Sequence, residues 1–171
     1  MKKVSCARLA LAAGGLAAVF VPGVSGQTVV NWASAVSGSW NDMARWSPGT
    51  IPNNSGPDLF DARIEQTGSA YTVSLATAIT IENLRLNSAD ATLDTSAADL
   101  TINRAFDLTN ALLLGANNAS VVRVRGATTL NNARLHMLST LDLEGGLNIV
   151  SGTDDICDTN IIHRSAGLWG G

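Results

Sequence analysis

The chain has 171 residues with 11 basic and 14 acidic side chains, a formal net charge of −3, and only 15% of its residues are charged. Its arginines are scattered, so no basic face exists to neutralise phosphates, and nucleic acid is excluded as a partner. Glu and Lys are too sparse to clothe the solvent faces of helices, and the abundance of Ala, Leu, Asn, Thr, Ser and Gly points to short strands joined by small-residue turns.

The first residues read as an export signal. Lys2, Lys3 and Arg8 precede the apolar run Leu9 to Val21, and the small residues Gly23, Ser25 and Gly26 follow it. The run is about 13 residues, short of the roughly 20 that a bilayer requires, so cleavage after Gly26 is expected rather than a retained anchor. Cys6 lies ahead of the apolar run, which argues against a lipoprotein anchor. The mature chain keeps eight arginines and no lysine against 14 acidic residues, a net charge of −6. It holds one cysteine, Cys157, so no internal disulfide can staple the fold and packing must hold it together. A secreted or cell-surface protein, with no transmembrane segment in the mature chain, is the expectation.

Residues 27–68 stand apart in composition. Three of the four tryptophans fall here, in Asn31-Trp32, Gly38-Ser39-Trp40-Asn41-Asp42 and Arg45-Trp46-Ser47-Pro48-Gly49. Trp32, Trp40 and Trp46 have two readings. They can cap the open end of a strand stack, which exposes apolar side chains and unsatisfied strand edges. They can also form an aromatic platform for sugar rings. Asp58 and Asp61, with Asn53 and Asn54 nearby, offer oxygen ligands of the kind Ca²⁺ takes, but without EF-hand spacing, so solvated turn carboxylates are the plainer reading.

From Tyr71 onward, apolar and polar residues alternate over short runs: Tyr71-Val73-Leu75, Ile79-Ile81, Leu84-Leu86, Leu100-Ile102, Phe106-Leu108, Leu112-Leu114, Val122-Val124, Leu141-Leu143 and Leu147-Ile149. Period two predicts half-buried strands. The runs also recur. Ile81, Ile102, Val124 and Leu143 form one series, Leu86, Leu108, Leu130 and Ile149 a second, and Leu93, Leu114 and Leu135 a third, all at a spacing of about 21 residues. Three series in step predict three strands per repeat, the unit of a right-handed parallel β-helix, with residues 27–68 as its N-terminal cap and 69–171 as its coils. An antiparallel β-sandwich competes, but it has no reason to keep three series in register. Asn83, Asn103, Asn110, Asn131, Asn132 and Gly145-Gly146 fall between runs, where Asn and Gly tolerate the left-handed backbone of a corner.

With its tryptophan segment and these coils, the sequence resembles the N-terminal region of large secreted bacterial β-strand-repeat proteins, akin to autotransporter passenger domains. The quoted segment fits their W…GxW(N/D)…W…G…P pattern, and the resemblance covers most of the mature chain. It implies an exported, surface-associated β-helix, and it implies no particular activity. Such chains often end in a sorting signal or dockerin-like module, so this one is expected to be part of a longer protein.

No Gly-x-Ser-x-Gly elbow or His-Glu-x-x-His pair accompanies His136 and His163, and both are read as structural or solvated. Asp154, Asp155 and Asp158 are read as turn carboxylates. Arg123 and Arg125 flank Val124 and share one outward face. The expected function is therefore a non-enzymatic structural or adhesive module contacting envelope or extracellular polysaccharide or other surface proteins. A carbohydrate-binding module built on Trp32, Trp40 and Trp46, and a truncated polysaccharide-degrading enzyme, are the alternatives.

Overall fold

Period-two alternation makes each short apolar run a strand with one buried face, and the computed structural model stacks these strands into a parallel β-solenoid. It describes residues 26–116, 120–136, 140–150, 155–157 and 161–163. The segment expected to be an export signal and Asp154, Asp158 and Trp169 lie outside them, as do the side chains of Asp155 and His163.

The first circuit contains β1 (Gln27–Trp32), β2 (Gly38–Ser39) and β3 (Trp46–Ser47). Four regular circuits follow. They are β4 (Leu59–Ile64), β5 (Tyr71–Ser74) and β6 (Ile79–Ile81), then β7 (Asn83–Asn87), β8 (Ala91–Asp94) and β9 (Leu100–Ile102). Next come β10 (Phe106–Thr109), β11 (Leu112–Leu114) and β12 (Val121–Val124), then β13 (Thr128–Asn131), β14 (Arg134–His136) and β15 (Thr140–Leu143). A further set, β16 (Leu147–Ile149), β17 (Asp155–Cys157) and β18 (Ile161–His163), extends each face. The first face runs β16-β13-β10-β7-β4-β1-β3, the second β17-β14-β11-β8-β5-β2 and the third β18-β15-β12-β9-β6. Among the described strands every pairing between circuits is parallel, which rules out the antiparallel sandwich; there β3 alone pairs antiparallel, with β1.

Registers confirm the repeat residue by residue. Ile81, Ile102, Val124 and Leu143 are successive partners on the third face. Leu86, Leu108, Leu130 and Ile149 are partners on the first. The third series is one residue off: Leu113, not Leu114, pairs with Leu93 and Leu135. Leu113 is buried, whereas Leu112 and Leu114 are only partly so. Three consecutive leucines give period two no phase; in the stack Ala111 and Leu113 are the two that turn inward. The ladder also begins earlier than Tyr71, because β4 already stands 22 residues ahead of β7 in register, Asp61 opposite Asn83.

The corners use two devices. Between the first and second faces, Asn110 (φ 55°) and Asn132 (φ 50°) take the left-handed conformation and stack, the Asn132 amide donating to Asn110 Oδ1 at 2.9 Å. Between the third and first faces, Gly126 and Gly145 are needed for space. Neither has positive φ, but a Cβ on Gly126 would lie 1.7 Å from the Arg104 carbonyl oxygen, and one on Gly145 would lie 2.0 Å from that of Gly126. Asn83 serves that corner differently, its Oδ1 accepting the Ala105 N–H at 2.9 Å.

Candidate functional site

The three tryptophans lie inside the first circuit. Trp32 and Trp40 are fully buried and Trp46 is 2% exposed. Trp46 meets both others edge-on, with centroids 5.0 Å from Trp32 and 4.8 Å from Trp40. Every indole N–H is satisfied by main chain: Trp32 donates to the Val36 carbonyl at 3.2 Å, Trp40 to that of Pro52 at 2.9 Å and Trp46 to that of Trp40 at 2.7 Å. The aromatic sugar platform is therefore corrected: an indole with no exposed face has nothing to offer a pyranose. Local sequence explains the arrangement. Asp42 accepts the Ala44 N–H at 3.0 Å and starts the 3₁₀ turn Met43–Arg45, which turns the chain back so that Trp46 stands opposite Trp32. The returning strand β3 covers the edge of β1, and Asn53 and Asn54 extend the circuit over β6, bonding Thr80.

Asp58 and Asp61 do not come together as cation ligands. Asp58 belongs to a turn bridged to Ser55, while Asp61 lies on β4 and accepts from the side-chain amides of Gln27 and Asn83, the latter at 2.6 Å. Asn53 and Asn54 spend their oxygens on the backbone N–H groups of Thr80 and Phe60. Among the described residues no three His, Cys, Asp or Glu side chains gather around one point. His136 stands in β14 in register with Leu114 and Cys157, and Cys157 is exposed.

Arg123 and Arg125 are held by the next circuit. Arg123 Nε lies 3.4 Å from both Asp142 Oδ2 and Glu144 Oε1, and Arg125 reaches Glu144 at 4.0 Å. Arg125 also donates to Asn103 Oδ1 at 3.0 Å, the Asn103 amide to Glu82 Oε1 at 2.8 Å, and the Asn54 amide to the same oxygen at 2.9 Å. The result is a continuous polar column, Asn54–Glu82–Asn103–Arg125–Glu144, crossing five circuits along one corner. Arg104 adds an ion pair to the buried Glu82 at 3.1 Å.

A second constellation, missed in reading the sequence, lies on the outside of the first face. Arg63, Arg85 and Asp107 occupy successive positions of one outward row, and Asp61 and Asn83 sit beside them in the next. Small Ala105 follows Asn83 at the corner and leaves a groove of about 220 Å³ floored by the backbone of β4 and β7. Arg85 is tied to Glu65 at 2.9 Å. Among the described residues, neither Arg63 nor Asp107 has an ion-pair or side-chain hydrogen-bond partner. The signal was available: Arg63, Arg85 and Asp107 share the repeat spacing of the aliphatic series.

Comparison with protein-family models, curated proteins and solved structures finds no match to this chain.

Proposed function

We propose that this chain is an exported structural or adhesive surface module that works without catalysis, as part of a secreted β-strand-repeat protein. The observation that carries this reading is the polar column Asn54–Glu82–Asn103–Arg125–Glu144. Its side chains face one another from circuit to circuit, so their hydrogen-bonding capacity goes into resisting slippage between coils. That is what a stiff spacer or scaffold requires, and it leaves those carboxylates and guanidinium groups bound to each other instead of to a substrate. The leader sequence supports export, and an acidic mature chain lacking lysine suits a soluble extracellular surface.

The test is to incubate the chain from Gln27 onward with isolated bacterial envelopes and with soluble polysaccharides, following both retained protein and released reducing ends. Retention on envelopes with reducing ends at the level of the heated control is the expected result. Reducing ends above that level would overturn the reading in favour of a polysaccharide-degrading enzyme.

A further inference from the structure

The outward row on the first face is a track of polar side chains parallel to the solenoid axis. Asn31, Arg63, Arg85, Asp107, Thr129 and Asn148 follow one another in register over six strands. Parallel strands stack about 4.8 Å apart, close to the length of one sugar ring in an extended chain. Side chains projecting at that interval can each meet one ring.

The groove sits at the middle of this track, and the charged groups in it that no neighbouring side chain engages select among ligands. Among the described residues, Arg63 offers donors and Asp107 an acceptor that no other side chain engages; two strand steps, about 10 Å, separate the two along their shared row. A ligand must therefore accept at one end and donate at the other. A polyanion would satisfy Arg63 while meeting Asp61 and Asp107, and a polycation would face Arg63 and Arg85. A hydroxyl both donates and accepts, and a chain of two or more rings spans the distance. Asp61 and Asn83, locked to each other at 2.6 Å, form a fixed wall beside the row.

We infer that the groove of Asp61, Arg63, Asn83, Arg85 and Asp107 binds a segment of a neutral, extended polysaccharide lying along the solenoid axis. Arg63 donates to ring hydroxyl oxygens and Asp107 accepts from hydroxyls about two rings away. This rests on the surface-contact reading above and names the polymer class that the surface meets.

The experiment is calorimetric titration of the chain from Gln27 onward with cellohexaose, a neutral extended oligosaccharide, and in parallel with an oligogalacturonate of equal length. Arg63→Ala and Asp107→Ala are compared with Arg134→Ala, which removes an exposed arginine from the second face. All three side chains point outward, and thermal melting checks that each variant is folded. Saturable binding of cellohexaose, insensitive to salt and weakened about tenfold by Arg63→Ala and by Asp107→Ala but not by Arg134→Ala, is expected. Three results would overturn the inference: no binding of cellohexaose, binding that neither groove variant changes, or preferential, salt-sensitive binding of the oligogalacturonate. Retention on envelopes without cellohexaose binding removes this inference alone, whereas release of reducing ends removes the reading beneath it.

Discussion

Two residues show how little room this fold leaves for local change. Gly126 has an ordinary backbone conformation, so its lack of a side chain matters only because the Arg104 carbonyl lies where a Cβ would go. A clash at 1.7 Å with main chain cannot be relieved by a rotamer change. Gly126→Ala should therefore cost about 1–3 kcal/mol or more, read as a lower midpoint in chemical denaturation, while the same change at Gly146, where a Cβ meets open space, should cost far less. Tyr71 provides a different probe, being the single tyrosine of the chain. Burial, helped by the Asp90 charge, raises its phenol pKa above the ordinary 10.0, and donation from the Gln66 main-chain N–H and the Ser88 hydroxyl only partly opposes that. The neutral phenol is thus favoured by folding. Its contribution to stability is complete below the unfolded-state value and is lost as pH rises through the higher folded-state value. Ultraviolet titration of tyrosinate should show a midpoint above that of free tyrosine, and the stability of Tyr71→Phe should fall less over the same alkaline range.

At the scale of the element, the first circuit differs from those that follow because it must close the stack as well as extend it. Regular circuits fill their interior with Leu, Ile and Val in vertical rows, such as Ile79, Leu100, Val122 and Leu141. The first circuit fills it with three indoles packed edge to face, and folds β3 back to cover the outer edge of the first face. Trp40 is its centre: it is fully buried, its N–H is bonded to Pro52, and its own carbonyl accepts from Trp46. Trp40→Ala should cost about 3–5 kcal/mol by leaving a cavity that main chain cannot collapse into. The check is a thermal melt followed by tryptophan fluorescence, which should also report new solvent exposure of Trp32 and Trp46.

For the whole molecule, each circuit touches only its neighbours, so stability accumulates along the axis and depends on how the ends are sealed. Chains starting at Gln27, Pro57 and Ser69 separate two contributions. Starting at Pro57 removes the indole cluster but keeps β4, and starting at Ser69 removes both. Circular dichroism should show strand signal in all three. Melting should shift to lower temperature at the first truncation, and cooperativity should be lost at the second, when the edge of β7 is bared. If the Ser69 chain melts as cooperatively as the longest one, the first circuit is dispensable for folding.

The sequence by itself determined the all-β class, the three-strand repeat and most of the vertical partners. The reason is that stacked coils force the same inward position to be apolar in every turn, so that Ile81, Ile102, Val124 and Leu143 record one physical column. Where the code is degenerate, as at Leu112–Leu114, only the register decided which leucine turns inward. The sites were less legible. An indole reads the same whether it lines a groove or fills a core, and the fold-back from β1 to β3 alone put Trp32, Trp40 and Trp46 inside. Likewise, Arg63, Arg85 and Asp107 are far apart along the chain, and stacking of the coils is what sets their side chains along one groove, since each circuit returns the chain to the same face one strand step further on.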